Sequence, residues 1–201
     1  MAITDVAIVD SGGANIASLE YALSRVGVTP RLTTNHAVLQ NASHVILPGV
    51  GAAEDAMRRL RKEGLTDVLG RLKQPVLGIC LGMQLLAEHS AEDDADCLGI
   101  MSGQSCLLPV SPGLPVPNMG WCQLQFQHEH PLLQDIEDGS YFYFVHSYAL
   151  PVQEATVATA MHSDRFSAVL ARDNFMATQF HPERSAAAGA QLLKNFLAIQ
   201  L

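Results

Sequence analysis

Three short unbroken apolar runs constrain this chain most: residues 6–9 (VAIV), 44–47 (HVIL) and 75–79 (PVLGI). None alternates with polar residues, so each reads as a strand buried on both faces. After the first, Ile16, Leu19, Leu23 and Val26 recur at helical spacing and Gly27 stops the helix. The second run breaks at Pro48-Gly49-Val50-Gly51, and a charged helix follows over about 52–62. After the third, 81–88 has helical character. Alternating strands and helices predict an α/β fold: a mostly parallel twisted sheet with helices on both faces. The later sequence predicts antiparallel strands that extend this sheet. Residues 141–148 (YFYFVHSY) are aromatic and β-branched, and 166–172 and 175–180 flank a hairpin turn at Asp173-Asn174. Ser185 is the expected N-cap of a last helix with Leu192, Leu193, Phe196 and Leu197 as its stripe. The Pro-rich loop 110–117 is too short to link domains, so residues 1–201 are expected to form one domain.

Composition narrows the function classes. Hydrophobic residues make up 48% and charged residues only 16%, which excludes a disordered chain. With 12 basic against 20 acidic residues the net charge is −8, which argues against binding nucleic-acid phosphates. Cys80, Cys97, Cys106 and Cys122 form no C-x-x-C pair, so neither a zinc site nor a disulfide framework is expected. The acidic start MAITDVAIVD is unlike a secretory signal, and no apolar run approaches about 18 residues. A soluble cytoplasmic protein with reduced thiols is expected.

Three segments could carry chemistry. In Gly78-Ile79-Cys80-Leu81-Gly82 a buried strand runs straight into a helix with a thiol at the junction, the layout of a nucleophile elbow. The first turn of a helix favours a thiolate, and the Leu81 N–H can face a developing oxyanion. Read alone, Cys80 could equally be a buried structural cysteine. In Gln179-Phe180-His181-Pro182-Glu183, His181 and Glu183 are two apart and would share one face of an extended segment, with Pro182 opposing helix. A carboxylate beside an imidazole fixes its tautomer; a surface turn before the last helix is the alternative. Pro48-Gly49-Val50-Gly51 could turn N–H groups toward a ligand or be an ordinary turn.

The set PGVG, GICLGMQLL, YFYFVHSY and QFHPERS, in this order, resembles the class I (triad) glutamine amidotransferases. With NMGW at 118–121 it is most similar to the glutaminase subunits of imidazole glycerol phosphate synthase. The resemblance implies Cys80 as nucleophile, His181 as general base and acid, and Glu183 as its orienting partner. It implies an oxyanion hole from Leu81 and from Val50 or Gly51. Gln84 and Glu92 would hold the α-amino and α-carboxylate groups of glutamine, with the backbone of His146, Ser147 and Tyr148 bordering the pocket. No metal or cofactor is implied. The implied partner is a separate cyclase with a (β/α)8 barrel, forming a heterodimer that receives the ammonia; Asn118, Met119, Gly120, Trp121, Tyr143 and Arg184 would lie at or near the docking face. Glu92 could instead be one charge in a solvated acidic loop, His146 a satisfied core histidine, and Trp121 a core residue. Ser11, Asn118 and Cys122 depart from the usual residues of these subunits, as does Gly13-Ala14-Asn15. A glutaminase for another synthase, a non-catalytic binding module on the same fold and a stand-alone cysteine hydrolase are the competing readings. The basic cluster Arg58, Arg59, Arg61 and Lys62 is read as a solvated face, with an acidic partner patch as the alternative, and His128-Glu129-His130 resembles a metal pair but no further ligand follows with zinc spacing.

Overall fold

In the computed structural model, residues 5–12 and 16–200 are described. Gly13-Ala14-Asn15 lies outside them. The first half alternates as β1 (Val6–Val9), α1 (Ile16–Arg25), β2 (Arg31–Thr33), α2 (His36–Asn41), β3 (His44–Gly49), α3 (Ala53–Lys62), α4 (Leu65–Gly70), β4 (Val76–Cys80) and α5 (Leu81–Leu86). Short strands follow: β5 (His89–Ser90), β6 (Ala95–Asp96), β7 (Gln104–Leu107), β8 (Asn118–Gln123) and β9 (Gln125–Phe126). The second half adds β10 (Tyr141–His146), β11 (Tyr148–Ala149), β12 (Thr156–Met161), β13 (Arg165–Arg172), β14 (Phe175–Thr178) and α6 (Ala186–Ala198).

Eight strands form the main sheet among the described residues, in the order β2-β1-β3-β4-β14-β13-β12-β9. The first five run parallel and the last three join antiparallel. The period of two in each strand splits the core. Val6 and Ile8 of β1 pack with Leu19 and Leu23 of α1 and with Leu192, Leu193 and Phe196 of α6. Ala7 and Val9 face the other way, toward Leu39 of α2 and Met57 and Leu60 of α3. Both faces are therefore covered, as the unbroken apolar runs require.

Four expectations need correction. The segment 141–148 does not join the main sheet. β10 pairs antiparallel with β8 in a separate ribbon, because Phe142 and Phe144 bury one face against Phe166 and Phe180 while Tyr141 stays exposed. The helix expected over 81–88 ends at Leu86. Ser185 does precede α6 but makes no side-chain cap; its hydroxyl donates to the His181 carbonyl at 2.7 Å and accepts from the Tyr143 N–H at 3.0 Å. The segment after His181 is not extended, because Pro182–Arg184 is a single 3-10 turn. Proline at the first position of such a turn loses no hydrogen bond.

Candidate active site

β4 lies between β3 and β14 at the centre of the sheet, and Cys80 is its last residue. The chain turns into α5 with no intervening loop, which forces Cys80 to φ 55° and ψ −111°, a strained conformation for a non-glycine residue. The bend presses α5 against β3. A Cβ on Gly82 would stand 1.8 Å from the Leu47 carbonyl oxygen, so only glycine fits there. The thiol itself is nearly buried. Sγ lies 3.7 Å from the Val145 carbonyl and 3.9 Å from Gln179 Nε2.

β14 runs beside β4 in the same direction, so the residues after it emerge next to Cys80. His181 N–H donates to the Tyr143 carbonyl at 2.9 Å, tying this segment to β10. The turn after His181 then folds Glu183 back, and His181 Nδ1 donates to Glu183 Oε1 at 2.9 Å. The His181 ring and the Cys80 thiol line the same cleft. Burial pulls His181 down, but hydrogen bonds to Cys80 and Glu183 and their charges outweigh it and lift the imidazole to about 10. Thiol, imidazole and carboxylate, spread over 104 positions of sequence, thus form one buried row.

Cys80 and His181 of this row line an open cleft of about 460 Å³. Val50, Gly51, Leu81, Gln84, Glu92 and the run from Val145 to Tyr148 line it as well. Gln84 Nε2 donates to the Tyr148 carbonyl at 2.9 Å and to Gln179 Oε1 at 3.1 Å. Burial pushes the Glu92 carboxyl up, and the Ala53 N–H pulls it back. His146 borders the cleft with both ring nitrogens engaged: Nδ1 donates to the Tyr148 carbonyl at 2.9 Å and Nε2 accepts from Asn118 Nδ2 at 3.1 Å. Burial lowers it to about 4, so it is neutral, a satisfied histidine that shapes the wall.

A family description of class-I glutamine amidotransferases matches residues 7–199. The chain belongs to this family. Among relatives of this amidotransferase, the Xylella fastidiosa (strain Temecula1) protein named imidazole glycerol phosphate synthase subunit HisH is 49% identical over 195 residues, covering 97% of this chain and 98% of that protein. The protein of the same name from Pectobacterium atrosepticum is 50% identical over 193 residues, covering 96% and 98%. Two solved structures share the fold. One, titled glutamine amidotransferase, has a TM-score of 0.73 at 17% identity and 96% coverage of both chains. The other, PurLQS from Thermotoga maritima, has a TM-score of 0.70 at 18% identity, covering 96% of this chain and 98% of that one.

Beside the cleft mouth the amidotransferase presents an aromatic surface. Trp121 is 51% exposed, which excludes the core reading, and it meets Tyr143 edge-on at 5.8 Å. The Arg184 guanidinium lies over the same Tyr143 ring at 5.8 Å, and Arg184 also lines the cleft. Met119 is exposed and Gly120 lies between it and Trp121. Asn118 does not belong to this surface. Strand alternation turns it inward, where it is 3% exposed and supports His146. Cys122 shares its inward side and bonds Asn118, so two of the unusual residues form one contact. Ser11, the third, is buried and donates to the Pro48 carbonyl at 2.9 Å.

Sequence reasoning passed over Gln179, which touches both Cys80 and Gln84. Its signal was a polar residue at the end of a buried strand, two positions before His181. Of the decoys, Arg58, Arg59 and Arg61 are engaged locally by Asp55, the Gly12 carbonyl and Glu54. His130 Nδ1 accepts the Leu132 N–H as a turn cap. Among the described residues no group of three or more possible metal ligands occurs.

Proposed function

We propose that this amidotransferase is the glutaminase subunit of imidazole glycerol phosphate synthase. Its near-full-length likeness to subunits of that name carries the reading. In the cleft, the Cys80 sulfur attacks the carboxamide carbon of glutamine. Charge develops on the carboxamide oxygen and is met by the Leu81 N–H and by an N–H from Val50 or Gly51; one such donor is typically worth about 2.7–4 kcal/mol. The proton held by the Cys80–His181 pair passes from His181 to the departing nitrogen, and ammonia leaves. Water then attacks the glutamyl thioester, giving a proton to His181; the C–S bond breaks, glutamate leaves, and His181 returns the proton to the Cys80 sulfur. Glu183 keeps the imidazole oriented through Nδ1. Gln84, Glu92 and the backbone of 146–148 hold the α-amino and α-carboxylate groups.

The ammonia is passed to a (β/α)8-barrel cyclase in the cytoplasm, docked over Met119, Gly120, Trp121, Tyr143 and Arg184. There it converts a phosphoribulosyl aminoimidazole-carboxamide intermediate into imidazole glycerol phosphate and aminoimidazole carboxamide ribotide. Gly51 has φ +89° and flanks Val50 with Gly49, so the Val50–Gly51 peptide turns at little cost. Docking at the adjoining surface favours the competent orientation and raises glutamine turnover. The test is glutamate release from glutamine by the chain alone, with cyclase, and with cyclase and its ligand, for wild type and Cys80→Ala. Wild type is expected to be slow alone and severalfold faster in the complex. Cys80→Ala is expected to release no glutamate while its complex still makes product from ammonium. Glutamate release by Cys80→Ala would remove Cys80 from the nucleophile role, and no response of any kind to the cyclase would refute the partner assignment.

A further inference from the structure

Glu92 has a partner outside the cleft. Its Oε2 accepts the backbone N–H of Ala53, the first residue of α3, at 3.3 Å. Ala52 in front of it is extended and supplies no side-chain cap, so Glu92 provides from another element an acceptor that this helix end lacks. The carboxylate is held from behind by a braced hairpin. Glu92 N–H donates to Ser90 Oγ at 3.2 Å, and Ser90 Oγ accepts from Ser105 Oγ at 2.9 Å, both serines being fully buried. His89 bonds Asp94 at 3.1 Å and Asp96 at 3.2 Å across the turn between β5 and β6.

On the other side, the three residues Val50, Gly51 and Ala52 join β3 to α3. Their near end is anchored, because Gly49 pairs with Cys80 and the Pro48 carbonyl accepts from Ser11. The loop itself has little packing: Val50 is exposed, and nothing lies within 4 Å of where a Gly51 Cβ would stand. Its position is therefore set by its two ends.

We propose that Glu92 is a positioning residue for this loop, tying its far end through the Ala53 N–H so that the Val50 and Gly51 amides stay in register with Cys80. This deepens the glutaminase reading above and rests on it. A carboxylate offers about four lone-pair sites, enough for the Ala53 amide and a substrate ammonium together. Glutamine's α-ammonium then immobilises the same carboxylate that holds the loop. Occupancy at the α-carbon end of the substrate is felt at the carboxamide end.

The test compares wild type, Glu92→Gln, Glu92→Ala and Ala53→Pro in complex with the cyclase. The substrates are glutamine and 4-carbamoylbutanoate, which lacks the α-amino group. Ala53→Pro removes the donor and leaves Glu92 in place. Proline suits the first helical position, and Ala52 at ψ 147° already has the backbone that precedes proline. On glutamine, Ala53→Pro is expected to lower kcat about fivefold, the scale of one lost cap, with KM unchanged. On 4-carbamoylbutanoate, Glu92→Ala is expected to lower kcat by a similar factor, and Glu92→Gln, whose amide oxygen still accepts from Ala53, by a clearly smaller one. Wild-type kcat in Ala53→Pro, or a loss in Glu92→Gln as large as in Glu92→Ala, would overturn the proposal while leaving the glutaminase reading intact. Failure of the wild-type complex to hydrolyse glutamine would instead overturn that reading, and this one with it.

Discussion

Replacing Glu183 by glutamine removes one charge from the buried row without changing its shape. His181 Nδ1 and Glu183 Oε1 are 2.9 Å apart, and their side chains are only 9% and 4% exposed, so solvent screens the pair weakly. At that separation and an effective dielectric of about 20, the gross attraction is about 6 kcal/mol. Desolvation offsets much of this, and the glutamine oxygen still accepts a neutral hydrogen bond of about half the strength. A net loss of about 2–3 kcal/mol remains, equivalent to a fall of about 30- to 150-fold in kcat. The pH profile gives an independent readout. His181 is raised from 6.5 to about 10, so it keeps its proton through neutral pH and loses it as pH rises through about 10. The pair's contribution to stability is complete below about 6.5 and is lost over that same rise. Without the Glu183 charge, burial acts against one fewer opponent, and the alkaline limb of glutaminase activity moves to lower pH. Steady-state glutamate release across this range, for both proteins in complex with the cyclase, measures both effects. Wild-type kcat with an unmoved alkaline limb in Glu183→Gln would show that the carboxylate does not support the imidazolium.

Gly82→Ala is expected to destabilise the fold by about 3 kcal/mol or more, because its Cβ would meet the β3 backbone at the Leu47 carbonyl, which cannot yield as a side chain would. Denaturant unfolding checks this, and an unshifted midpoint would disprove the close approach. Trp121→Ala is expected to weaken cyclase binding about 10- to 100-fold, the scale of a lost aromatic anchor, with the isolated fold unchanged. Titration calorimetry giving a wild-type Kd would take Trp121 out of the docking face.

The parallel half of the sheet was legible because its signal is local. An unbroken run such as VAIV needs cover on both faces wherever it sits, and α1 and α6 on one side and α2 to α5 on the other provide it. The Asp173-Asn174 turn was legible for the same reason: Arg172 and Phe175 close a two-residue hairpin whose first residue has φ 52°. The pairing of β10 was not. An aromatic strand reads alike whether its partner is β8 or the main sheet, and only the packing of Phe142 and Phe144 against Phe166 and Phe180 decided it. Ser185 failed as a cap for a similar reason, since the Tyr143 amide and the His181 carbonyl compete for its hydroxyl.

By itself the sequence determined the strand–helix junction at Cys80, the imidazole and carboxylate two residues apart, and the family to which these segments point. Those features depend on residue type and spacing within a few positions. Only the tertiary structure decided that the imidazole and the thiol line one cleft, because β14 lies parallel beside β4, a pairing between segments about a hundred residues apart. It also decided that Asn118 turns inward to His146 and that Glu92 reaches across to the first amide of α3. Each of these bonds joins segments distant in sequence, and hydrophobic burial, which brings such segments together, is non-directional: local spacing shows which face is buried but not which distant segment covers it.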